Sequence, residues 1–263
     1  MNHKLSFKHN HLPHFDDFVT ATKIQRTYYN PLHKLFWYQL NGLVLKDRAI
    51  IVGNIQEDTK IHILCPMRSG KAKASYRDIS KEICSRLSFD CSTPTSLHPE
   101  QLVGKVQKIK DGKNWVFEEV YGFLNDDMII FDEAYHYLND TDPTTREVRN
   151  YLKVGLDSAG KNFVYKKLVE HNKENALAYY TKAVAQFFFQ PMRLDEIIVL
   201  DGFLRRSYFP FVDIPRVTES NELDYLDKLN GVGNSETGLT RFVEHLKSVQ
   251  EFESNISKEQ KKA

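Results

Sequence analysis

The chain has 263 residues, of which 41% are hydrophobic and 27% charged, values that allow a sizeable core and exclude a disordered, collagenous or disulfide-scaffold class. A formal net charge of +1 means that any contact with nucleic acid must come from a local basic surface, not from a global positive field. Cys65, Cys84 and Cys91 form no C-x-x-C pair, which argues against a disulfide framework or a zinc site and for a reducing compartment. The opening segment "MNHKLSFKHNHLPHFDDF" has no apolar core of signal-peptide length, and no apolar run approaches about 18 residues, so a soluble, cytoplasmic protein with no membrane partner is expected. His3, His9, His11 and His14 fit no metal-site spacing and read as a polar terminus.

From Phe15 to about Asp47, apolar residues recur at three and four, predicting two helices broken at Pro31. "AIIVG" reads either as a short strand or as the end of that helix. "KIHILCP" is a compact apolar run, and "KASYRDISKEICSRLS" follows at helical period, so strand, loop and helix arrive in the order a phosphate loop requires. The template G-x-x-x-x-G-K-[ST] laid over "CPMRSGKA" puts Gly70 and Lys71 in place, with Cys65 where Gly is expected and Ala72 where the hydroxyl belongs. Pro66, Met67, Arg68, Ser69, Gly70, Lys71 and Ala72 are thus candidate contacts of a nucleotide. Lys71 would charge the β- and γ-phosphates, while the helix beginning near Ala72 offers N–H groups and its positive dipole end. Cys65 demands a backbone path unlike the glycine turn, with Pro66 fixing it. Ala72 removes a direct Mg²⁺ ligand, so water must replace it or the metal is held less well. The expectation is a site that binds ATP, with hydrolysis slowed or conditional.

"SFDCSTPT" reads as a second strand, and "LHPEQLVGKVQKIKDGKNWVFEEVYGFL" as a short helix and a hairpin turning near Asp111-Gly112. In "MIIFDEA" a continuous apolar run leads straight into Asp132 and Glu133. Such runs mark buried parallel strands, and ligands of parallel sheets bind beyond the carboxyl ends of the strands. In the nucleotide reading Asp132 orients Mg²⁺ through its water shell and Glu133 polarises the water that attacks the γ-phosphate. The alternative is that the two acids only begin a helix, whose N-terminus favours them.

Three further segments follow in order. They are "NWVFEEVYGFLNDDMIIFDEA", "REVRNYLKVGLDSAGKNFVYKKLVEHNKENALAYYTKAVAQFFFQP" and "DEIIVLDGFLRRSYFPFVDIP". Together with the loop they resemble the AAA+ ATPase core, specifically the minichromosome-maintenance (MCM) replicative helicases and their viral and plasmid relatives, over roughly Leu35 to Pro215. The first is similar to the family's W-x-L-E-x-G-x-x-x-x-A-D segment, the second to its helix, basic pre-sensor hairpin and sensor-1 strand, and the third to the segment with the arginine finger.

The resemblance implies an α/β AAA+ P-loop NTPase core, a mostly parallel sheet flanked by helices, with a small helical C-terminal lid. Its divisions would be a helical lead-in over 1–47, the ATPase core over 48–217 and a reduced lid over 218–263. No N-terminal DNA-binding domain or C-terminal winged helix is evident, as expected of a bare motor core or a part of a longer system. It implies ATP and Mg²⁺ as cofactors, assembly into a homo- or hetero-oligomeric ring, and DNA, single-stranded or duplex, as the partner in replication.

Gln190 stands where the family usually has Asn; its amide either hydrogen-bonds a phosphate or the attacking water, or caps a strand end. Arg206, more than Arg205, matches the finger that reaches a neighbouring subunit's γ-phosphate, against a solvated arginine as the alternative. Lys161, Tyr165, Lys166 and Lys167 put cations and a flat ring on the hairpin, suited to DNA phosphates and bases, although Glu170 and Glu174 dilute the charge. Arg241 is a weaker candidate for the family's second sensor. Two other classes remain open: a catalytically weakened AAA+ subunit that assembles with an active homologue, and an ATPase that remodels protein.

Overall fold

The computed structural model describes residues 12–24, 26–45, 49–52, 55–67, 73–134, 142–156, 163–170, 173–180, 183–190, 207–208 and 235–260. In chain order the elements are α1 (Phe15–Thr22), α2 (Arg26–Val44), β1 (Ala49–Val52), β2 (Ile55–Asp58), β3 (His62–Pro66), α3 (Lys73–Arg86), β4 (Cys91–Ser92), α4 (Pro99–Val103), β5 (Gly104–Asp111) and β6 (Asn114–Tyr121). They continue with β7 (Met128–Phe131), α5 (Pro143–Gly155), β8 (Phe163–Glu170), β9 (Lys173–Tyr180), β10 (Val184–Phe189), β11 (Ser207–Tyr208) and α6 (Ser235–Gln260).

Strands buried on both faces read as unbroken apolar runs, and "HILC", "MIIF" and "VAQFFF" are such runs. They form the middle of a five-stranded parallel sheet in the order β11-β3-β10-β7-β4. Their alternate residues serve two cores. Ile63, Cys65, Met128, Ile130, Val184 and Phe188 face a layer built from α1, α2, α3 and α6, whereas Leu64, Ile129, Phe131, Ala185, Phe187 and Phe189 face α4 and α5. The chain is therefore α/β with helices on both sides of a parallel sheet.

A polar tether crosses the first core. Gln186, at the centre of β10, donates to Gln39 Oε1 of α2 (2.7 Å) and to Ser80 Oγ of α3 (2.9 Å). Gln39 in turn donates to the carbonyls of Ile61 (2.7 Å) and Ala185 (3.1 Å). Gly42 lets α2 approach the lead-in to β3, since a Cβ there would lie 2.4 Å from the Thr59 carbonyl oxygen.

Three two-stranded antiparallel units stand apart from the sheet: β1 with β2, β5 with β6, and β8 with β9. The β5–β6 hairpin turns at Gly112, whose φ of +60° is the left-handed conformation glycine adopts without strain. The second and third hairpins lie against each other.

The helix break expected at Pro31 falls earlier. Lys23 adopts a left-handed conformation (φ 58°) and closes α1, the Thr22 hydroxyl donates to the Val19 carbonyl (2.8 Å), and the Ile24 N–H donates to that hydroxyl (3.3 Å). Pro31 lies inside α2. A proline ring presets a helical φ, and at this sixth position of α2 the helix forgoes one backbone hydrogen bond. "AIIV" is a strand, and the "SFDCSTPT" strand shrinks to Cys91–Ser92. α6 packs on α1, with the Phe18 and Phe242 rings 5.1 Å apart, and Arg241 of α6 lies 3.8 Å from Asp17 of α1. Among the described residues no helix is long and apolar enough to cross a membrane.

Candidate functional site

The site forms where β3, β10 and β7 end side by side. Cys65 is a strand residue of β3, paired with Phe188, and its buried thiol is pushed above its ordinary pKa by desolvation. The backbone at Cys65 is thus extended, and the chain leaves the sheet only after Pro66, which pairs with Phe189. Met67 is buried and gives its N–H to the Phe189 carbonyl (2.8 Å). Arg68, Ser69, Gly70, Lys71 and Ala72 lie outside the described residues, and the chain resumes at Lys73 as the first residue of α3.

At the end of β7 the backbone turns sharply. Glu133 takes φ 55°, its N–H donates to Asp132 Oδ1 (3.1 Å), and the Ala134 N–H donates to the Phe188 carbonyl (2.7 Å), so the turn is pinned to β10. This fixes both acids at the sheet's carboxyl edge, and no helix follows directly within the described residues.

β10 separates β3 from β7, so a side chain from the helix after β3 must reach across that strand to meet the acids, and the long lysine does so. Lys73 Nζ contacts Asp132 Oδ1 at 2.9 Å and also hydrogen-bonds Glu133 Oε1. One turn further along the same helix face, Arg77 Nη1 donates to Asp132 Oδ2 at 2.7 Å, while its Nε donates to Asp78 Oδ1 at 2.9 Å. Burial alone would raise the Asp132 carboxyl, but the Lys73 and Arg77 hydrogen bonds and charges outweigh it and hold the group below its ordinary value. Burial likewise opposes charge on Lys73, and Glu133 and Asp132 together raise its pKa. Two cations, Lys73 and Arg77, are therefore paired with three carboxylates, Asp132, Glu133 and Asp78.

With these ion pairs in place, the acids are committed to cationic side chains and not to direct contact with a divalent cation. Mg²⁺ needs near-octahedral oxygen donors at about 2.0–2.1 Å, yet both oxygens of Asp132 and one of Glu133 already accept from cationic nitrogens. Among the described residues, no group of three or more His, Cys, Asp and Glu side chains is arranged to hold a metal.

Gln190 follows β10 directly and is exposed at the same edge of the sheet, beside the end of β3. Arg205 and Arg206 lie outside the described residues. The next residue, Ser207, begins β11 and pairs with His62 at the amino end of β3, so the chain enters this strand at the edge away from Asp132. The expected hairpin is present as β8 and β9, with Tyr165 opposite Ala178, Lys166 opposite Leu177 and Lys167 opposite Ala176; Lys161 lies outside the described residues.

Lys73 and Arg77 escaped the sequence reading. Their signal was present as two cations four residues apart on the helix that follows Lys71, a spacing that puts both on one face. Neither the models of known protein families nor the curated proteins compared with the chain give a match.

Proposed function

We propose that the chain is an ATP-binding module of AAA+ type, similar in plan to the MCM-like helicase core, that works within an oligomeric ring on DNA inside the cell. One observation carries this reading. Lys73, two residues beyond Lys71, is hydrogen-bonded to Glu133, 60 positions further along the chain, and ion-paired with Asp132 beside it. The strand before the loop candidate, the helix after it and the acids therefore meet at one sheet edge, where ligands of parallel sheets bind. Gln190 emerges at that edge as well.

In this reading the Gly70-Lys71 loop and the start of α3 hold the phosphates through N–H groups and positive charge. Entry into β11 at the opposite edge supports an arginine, Arg206 or Arg205, that serves a neighbouring subunit's nucleotide and not its own. The hairpin carrying Tyr165, Lys166 and Lys167 supplies the DNA contact.

A second reading is favoured by the ion pairs themselves. Glu133 is held by Lys73 and not left open to a water, so in this reading the chain binds ATP as a sensing subunit and turns it over slowly.

The test is ATP hydrolysis by the purified protein, with and without single-stranded DNA, beside Lys71→Ala and Ala72→Ser. DNA-stimulated turnover abolished by Lys71→Ala supports the motor. A silent native protein that binds ATP and gains turnover with Ala72→Ser supports the sensing subunit. Absence of ATP binding overturns both. DNA binding is expected to weaken with salt and to be lost in Lys166→Glu/Lys167→Glu, and binding indifferent to those changes would remove the hairpin from the DNA interface.

A further inference from the structure

We propose that the Lys73 ammonium takes the place of the divalent cation, so that nucleotide binding at this site does not require Mg²⁺. The inference rests on the reading above, in which the loop before α3 binds ATP, and it specifies what accompanies the phosphates.

The argument starts from the acidic pair. Two adjacent carboxylates at a phosphate site would repel a polyanion unless a cation stands between them, which is one service a metal ion performs. Here the service is already rendered by side chains. Lys73 bridges Asp132 and Glu133, as a bound cation would, and Arg77 takes the second oxygen of Asp132. With Asp132 held below its usual pKa and Lys73 above its own, this central pair stays charged near neutrality.

The covalent arrangement points the same way. The template position that would carry a metal-binding hydroxyl is Ala72, and the residue immediately after it is Lys73. One donor to a metal is absent and a permanent cation is fixed next door. An ammonium has three N–H donors, and the two carboxylates use two of them, which leaves the third for a phosphate oxygen. A divalent ion entering this space would have to displace the Lys73–Asp132 pair, with side-chain exposures of 15% and 29%, and the more exposed Lys73–Glu133 pair.

The experiment is calorimetric titration of ATP into the full chain in EDTA and, separately, in excess MgCl₂. The expected result is a dissociation constant that differs by no more than about twofold between the two conditions, well under the tenfold step that 1.4 kcal/mol represents. Lys73→Ala is expected to weaken binding in EDTA by about tenfold or more, the scale of one charge-assisted hydrogen bond, and to make the remaining binding Mg²⁺-dependent. Lys73→Arg keeps the charge and is expected to keep Mg²⁺-independent binding, while melting curves of both variants verify that they fold. Native binding at least tenfold tighter with Mg²⁺, or a folded Lys73→Ala protein that binds like the native one in EDTA, overturns the inference and leaves the ATP site standing. Absence of binding in both conditions removes the ATP site and the inference with it.

Discussion

His62 shows how far burial can shift one side chain. It is buried at the start of β3, its Nδ1 accepts the Ala185 N–H at 3.1 Å, and desolvation, helped by the Lys60 charge, lowers its pKa to about 3. Protonation would break that hydrogen bond and bury a charge. In the unfolded chain the same ring titrates near its ordinary 6.5, so between that pH and about 3 the unfolded state binds the extra proton. The stability contributed by a neutral His62 is thus fully present above pH 6.5 and is lost as pH falls, with a slope approaching about 1.4 kcal/mol per pH unit for this one group. Urea denaturation at pH 7 and pH 5 checks this: His62→Gln should lose that component of the pH dependence, and an unchanged slope would assign it elsewhere. Residues like His62 and Lys73 were the hardest to read from sequence. The role of each is set by a partner far along the chain, Ala185 for one and Glu133 for the other, and periodicity carries no information about such pairings.

At the scale of elements, patterns with one physical cause were legible and those with two competing causes were not. β7 and β10 are runs with no polar face to hide or with one buried glutamine, and such runs have few alternatives to a central strand. The β5–β6 turn at Gly112 was legible because glycine next to aspartate marks a position of positive φ. Pro31 misled because proline usually breaks helices, whereas here it is carried inside α2 and Thr22 and Lys23 end α1. β11 is only two residues long and gave no signal above its surroundings. The junction of α2 with the β3 lead-in is another feature hidden from sequence, because nothing near Gly42 announces Thr59. Gly42→Ala forces a methyl group into a space where its carbon would sit 2.4 Å from a backbone oxygen. The helix must shift, at a cost of about 1–3 kcal/mol despite alanine's better helix propensity. Thermal or urea denaturation measures it, and a variant as stable as the native protein would show that α2 moves freely over that lead-in.

For the molecule as a whole, the two-sided sheet gives the site its foundation. Helices α1, α2, α3 and α6 cover one face and α4 and α5 the other, and the acids stand at the carboxyl end of a central strand. That much of the plan, an α/β layering with Asp132 and Glu133 after a buried strand, was legible because alternation and apolar runs report burial directly. The electrostatic state of the acids was not, since it depends on α3 crossing to meet them. One feature of that edge also bears on how the fold and its use are balanced. Glu133 holds a left-handed backbone, a conformation that costs a residue with a side chain about 1–2 kcal/mol relative to glycine. Its side chain is about half exposed, so its ion pair with Lys73 returns only a fraction of that cost. Glu133→Gly should therefore raise the unfolding midpoint while removing the carboxylate from the site. If the melting temperature falls instead, the ion pair outweighs the strain and the turn is optimised for stability. If it rises, this turn is a place where the chain gives up robustness to keep an acid in position, and selection for thermostability alone would drive that acid out.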